Sequence, residues 1–144
     1  MIGVPVRLLV ESARQFADLQ REIQVVGLDH NGPKELVALA QTSREISARI
    51  GSLRQAGADV AEAALARGES TIDFDVEVGD DAVDAFDRLG SLIWRVGDAL
   101  VRRHLLTVPP SEEVTAYRHW YRDEIASQLG GRAPRPCPLA AARA

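Results

Sequence analysis

An all-α chain, folded as an antiparallel four-helix bundle with one short extended segment at about residues 71–78, is the architecture expected of these 144 residues. Along four stretches the apolar residues recur every three or four positions, the spacing that puts them on one face of a helix. Proline and glycine fall at the ends of those stretches, where helices start and stop. One further stretch alternates with period two, as an extended strand with one buried face does.

The first helix is expected to open near Pro5, because proline suits the first helical position. Leu9, Ala13, Phe16, Ala17, Ile23 and Val26 share a face, and Gly27 with the polar residues 29–32 ends the run. The second helix is expected to open at Pro33, with Glu35 facing the positive end of the helix dipole. Its seam is Leu36, Leu39, Ser43, Ile46, Ile50, Leu53, Gly57, Val60 and Ala64, an unbroken alternation of three and four. A seam of this kind needs a partner helix, in the same chain or in a second copy. Gly51 and Gly57 each cost up to about 1 kcal/mol against alanine inside a helix, so they read as points of close packing or of a bend. This helix should end near Arg67 and Gly68.

In the extended segment, Ile72, Phe74, Val76 and Val78 alternate with Thr71, Asp73, Asp75 and Glu77. Its backbone groups need partners. Residues 2–6, a second copy of the segment, or a path along the helices are the three arrangements open to it, and the last is the one expected. The third helix is expected from about Asp80 to Leu105, capped by Asp80 and Asp81. Val83, Phe86, Gly90, Ile93, Gly97 and Leu100 form its stripe, widened by Leu89, Leu92, Val96 and Val101, as suits the most buried helix. The linker 106–110 ends in two prolines, and the fourth helix should run from Pro110 to about Leu129. Val114, Tyr117, Tyr121, Ile125 and Leu129 face inward there, with Trp120 beside them, and Gly130 with Gly131 closes it. Residues 1–131 thus read as a single helical-bundle domain. Residues 132–144, rich in proline and alanine, read as a flexible tail.

Composition narrows the function. Hydrophobic residues at 46% and charged residues at 26% suit a globular chain rather than a disordered one. A net charge of −4 argues against a general binder of nucleic acid or anionic membrane. No apolar run approaches a membrane span and no secretory signal opens the sequence, so the expected compartment is the cytoplasm. His30, His104 and His119 do not share a metal-ligand spacing, and each reads as a structural or surface residue. Cys137 stands between Pro136 and Pro138 with no base beside it to activate an exposed thiol. Neither a nucleophile motif nor a glycine-rich phosphate loop occurs. The chain is therefore expected not to be an enzyme, and no catalytic, cofactor or metal residue is named.

Charge placement is more informative. Eight acidic residues, at 69, 73, 75, 77, 80, 81, 84 and 87, fall between Glu69 and Asp87 without one basic residue. Beyond position 100 arginines follow, among them Arg102, Arg103, Arg118 and Arg122, the last two on one helix face. Acidic and basic edges of this kind suit docking. The run Tyr117-Arg118-His119-Trp120-Tyr121-Arg122 gathers the residue types enriched at interface hot spots. Trp120, Arg118, Arg122, Asp73, Asp75 and Glu77 are accordingly the interaction candidates. The expected partner is a regulatory protein, with a second copy of the chain as the other choice.

Four short motifs carry a resemblance: Pro5-Val6-Arg7-Leu8, Leu19-Gln20-Arg21-Glu22-Ile23, Leu106-Thr107-Val108-Pro109-Pro110 and Tyr117-Arg118-His119-Trp120-Tyr121. In this order they are similar to the helical N-terminal region of actinobacterial ATP-binding regulators of the anti-sigma-factor, partner-switching type. In those proteins the region precedes a histidine-kinase-like ATPase domain. Nothing in these residues matches that domain's asparagine-bearing helix or its glycine-rich ATP lid. Kinase activity is therefore not carried over from the resemblance, which implies at most a regulatory or docking role. A non-enzymatic signalling module in transcriptional control is the first expectation. The alternative is a small-molecule sensor holding a ligand between helices near Gly90, Gly97 and the aromatic cluster. An enzyme built from scattered residues such as His119 and Glu124 ranks third.

Overall fold

A computed structural model describes residues 1–27, 34–79, 81, 83–88, 90–91 and 109–143. In chain order these form β1 (Val4–Pro5), α1 (Val6–Gly27), α2 (Lys34–Ala66), β2 (Thr71–Ile72), α3 (residues 83–88 and 90–91), α4 (Glu112–Leu129) and a 3₁₀ turn (Pro138–Arg143). The described residues are mostly helical, with one small two-stranded sheet. The expected third stripe beyond residue 91, with Leu89, His104 and the linker to Val108, lies outside them, as does His30.

α1 and α2 pack side by side in opposite directions. Leu9, near the start of α1, lies against Gly57 in the second half of α2, while Gln20 hydrogen-bonds Ser47 nearer the start of α2. Leu9, Phe16 and Ile23 of the first stripe are buried, and Ser43, Gly57 and Ala64 of the seam are buried with them. Leu8 is fully buried although it lies off that stripe. It joins the central cluster of Met1, Val4, Val6, Ile72, Phe74, Val114, Tyr117 and Ile125, so α1 is covered from two directions at its start.

α4 begins two residues later than its prolines suggest, because Ser111 is the cap: its hydroxyl accepts the Val114 N–H at 3.2 Å. Val114, Tyr117 and Ile125 are buried as expected, and Tyr121 is half-buried. Leu129 is not inward: it is 42% exposed. It falls off the face that carries Tyr117, Tyr121 and Glu124, in the last turn before Gly130 stops the helix.

Two further expectations are corrected. Instead of simply lying along helices, the extended segment pairs with the N-terminal strand, Val4 opposite Ile72 and Pro5 opposite Thr71 in antiparallel register. The pairing reaches further, from Val6 N–H to Ser70 O and from Phe74 N–H to Met1 O, both 3.0 Å. Helix side chains offer no ladder of donors and acceptors to a strand, whereas the residues before α1 do. Residues 132–143 are not a loose tail either. Pro136 bridges Ile2 in parallel, Cys137 N–H donates to Ile2 O at 2.9 Å, and Leu139 packs on the core. Cys137 is thereby buried rather than exposed, and burial pushes its thiol pKa up.

Candidate interaction surface

The strand places three of the six candidates. Ile72 and Phe74 turn into the core and Val76 and Val78 pack half-buried against it. Strand alternation then turns Asp73, Asp75 and Glu77 outward, and all three are exposed. Asp73 also has a structural partner: its Oδ1 accepts the Gly3 N–H at 2.6 Å. That contact holds the N-terminal strand where Gly3 takes a φ of 60°, a conformation that glycine adopts without strain. Asp75 and Glu77 make no hydrogen bond or ion pair among the described residues.

The three candidates on α4 are engaged within the chain. Half-buried Arg118 donates to Ser12 Oγ at 3.0 Å, to Ser12 O at 3.1 Å and to Gln15 Oε1 at 3.5 Å, tying α4 to α1. Burial lowers its guanidinium pKa from the ordinary arginine value. Arg122 grips Asp87 with two bonds of 2.6 and 2.9 Å and also reaches Asp123. The same grip holds the Asp87 carboxyl below its usual range. Trp120 is half-buried, with ring centroids 6.1 Å from Tyr117 and 6.4 Å from Tyr121. Phe86 meets Tyr121 edge-on at 6.1 Å, so this aromatic cluster joins α3 to α4. Burial pushes the Tyr121 hydroxyl up to about 12, and that of Tyr117 higher still. The Tyr117 hydroxyl is buried with no hydrogen-bond partner among the described residues. No hydrogen bond or ion pair joins the acidic strand to the three α4 candidates among the described residues.

Glu124, named from the sequence only beside His119, serves as a buried anchor instead. It has no exposed surface, and it accepts hydrogen bonds from the Arg135 N–H at 2.7 Å, Gln128 Nε2 at 2.9 Å and Arg135 Nε at 3.0 Å. Burial alone would raise its pKa; the three donors outweigh burial and hold the carboxyl below the ordinary range. The available signal was a carboxylate at helical spacing from Tyr117 and Tyr121, inside an apolar stripe. His119 is exposed on another side of α4 and makes no hydrogen bond with Glu124, so that pair is not assembled.

Among the described residues, no group of three histidine, cysteine or acidic side chains is placed to hold a metal ion, and no helix is long and apolar enough to cross a membrane. No family model, curated protein or solved structure matches the chain.

Proposed function

We propose that this chain is a non-enzymatic regulatory module: a cytoplasmic four-helix bundle that works by docking a protein partner. The resemblance to partner-switching regulators suggests transcriptional control as its setting. One observation carries the reading. Residues 73–78 are anchored to the core by Phe74, Val76 and Val78, while Asp75 and Glu77 stand exposed without a hydrogen-bond or ion-pair partner among the described residues. Exposed charges far from a counter-charge add little to folding stability but steer association strongly. The α4 arginines support the reading less, since both already serve contacts inside the chain.

The test is affinity capture from extract of the cell that carries the gene, with wild type and with Asp75→Lys/Glu77→Lys. A protein held by wild type, released by rising salt and lost in the double variant is the expected result. A set of retained proteins unchanged by the variant contradicts the proposal.

One observation supports a second reading, a small-molecule sensor. The buried Tyr117 hydroxyl, without a hydrogen-bond partner among the described residues and beside Trp120 and Tyr121, is an apt donor for a ligand lodged between helices. A thermal-shift screen tests it: a ligand that raises the melting temperature of wild type but not of Tyr117→Phe supports the sensor.

A further inference from the structure

We propose that the outer edge of the segment from Thr71 to Glu77 is a strand-addition site for an extended, basic segment of a partner protein. The inference rests on the docking reading above and adds to it the partner's chemistry and binding geometry.

Among the described residues the sheet has two strands in the order β1–β2, so β2 has a hydrogen-bonded neighbour there on one side only. The bonds from Val6 N–H to Ser70 O and from Phe74 N–H to Met1 O set the phase of the ladder. Ser70, Ile72 and Phe74 turn their backbone groups toward the N-terminal strand; Thr71, Asp73 and Asp75 therefore turn theirs to the other edge. Those outward groups have no backbone hydrogen-bond partner among the described residues. Beyond Ile72 the segment keeps its alternation of exposed and covered side chains, because Val76 and Val78 pack half-buried on the core. A strand already ordered spares an incoming peptide part of the entropy cost of pairing.

Charge decides the occupant. Asp73, Asp75 and Glu77 stand on one exposed face at alternate positions. Antiparallel pairing with a second copy would set carboxylates opposite carboxylates, which destabilises a cross-strand pair. An incoming strand with arginine or lysine at alternate positions sets opposite charges there instead. Asp73 is already engaged with Gly3, so Asp75 and Glu77 carry most of the recognition.

The full chain is titrated with a short labelled peptide alternating arginine and valine, followed by fluorescence anisotropy. Two control peptides are used: one alternating glutamate and valine, and an alanine-rich, helix-forming peptide carrying the same number of lysines as the test peptide has arginines. Wild type should bind the arginine–valine peptide saturably and at least about tenfold better than either control. Asp75→Lys/Glu77→Lys should reverse the preference between the two extended peptides. Asp75→Pro removes an outward N–H as well as a charge, so it should weaken binding more than Asp75→Asn, which removes the charge alone. In wild type, the amides of Thr71, Asp73 and Asp75 should gain hydrogen-exchange protection on binding, a readout independent of how any variant folds.

Equal binding of the helical peptide, with no gain in amide protection, overturns strand addition and leaves charge-driven docking standing. No binding of either basic peptide overturns the inference. The docking reading then stands or falls separately on whether the capture experiment shows a protein lost on charge reversal. A wild-type dimer that Asp75→Pro breaks overturns the inference in favour of a second copy.

Discussion

A carboxylate with no exposed surface persists only if its oxygens are occupied, and Glu124 meets that condition through Gln128 and both the backbone and side chain of Arg135. It fixes the returning C-terminal segment onto α4. Glu124→Ala is therefore expected to cost about 1–3 kcal/mol in urea unfolding and to expose Cys137 to a thiol reagent. Arg135→Ala should cost less, since Arg135 is 61% exposed in its side chain and its backbone N–H remains. The pH dependence has a definite sign. The folded pKa of Glu124 is depressed, so its contribution is fully present above the ordinary carboxylate range and is lost as pH falls through the folded value. Protection of the Cys137 amide, which donates to Ile2 O, should fall over the same acid window once the intrinsic exchange rate is allowed for, and Glu124→Gln should flatten that fall. The two arginines of α4 separate in the same way. Arg118→Ala should cost about 1–3 kcal/mol, because it strips donors from partly buried acceptors on α1. Lysine there reaches only one acceptor at a time and should recover part of the loss. Arg122→Ala, breaking an exposed pair with Asp87, should cost under about 1 kcal/mol.

At the scale of the element, the α1–α2 hairpin tests what the seam glycines do. A Cβ at Gly57 would meet Leu9 Cδ1 at 3.6 Å, an ordinary contact, and one at Gly51 would meet nothing within 4 Å. Close packing therefore does not require either glycine. Gly57→Ala should raise stability by up to about 1 kcal/mol through helix propensity, read by thermal unfolding. Destabilisation by that change would mean that the helices approach more closely than this. Leu8→Ala, at a position with no exposed surface, should cost about 2–5 kcal/mol. Leu8 also marks the limit of what periodicity reveals. A stripe identifies one buried face, which located Leu9, Phe16 and Ile23, but the N-terminal strand and α4 cover α1 from a second direction. The alternation in residues 71–78 was legible for the same local reason. Its partner was not, because pairing with β1 joins residues some seventy positions apart. The docking of residues 132–143 was hidden in kind. Its anchor is a carboxylate on α4, and proline-rich composition says nothing of a distant buried acceptor.

Across the whole molecule, the charges divide by use. Arg118 and Arg122 close contacts between α4 and its neighbours, and Asp73 holds Gly3. Asp75 and Glu77 enter no such contact among the described residues, which is why the proposed docking site is the strand edge rather than the arginine-rich helix. The candidate residues were visible in the sequence as opposed charge blocks; which block is spent internally was visible only in three dimensions. Asp75→Lys/Glu77→Lys should therefore leave the unfolding midpoint nearly unchanged while removing partner capture. Raising the salt severalfold above 0.1 M, where the screening length is about 10 Å, should weaken capture by wild type in the same direction.

Amide hydrogen exchange across residues 70–78, on the full chain alone and with the arginine–valine peptide, tests the central claim most directly. The open strand edge predicts a slow amide at Phe74, fast amides at Asp73 and Asp75 in the free chain, and slowing of the latter two when the peptide binds. Slow exchange at Asp75 in the free chain, or no change on adding the peptide, would contradict it.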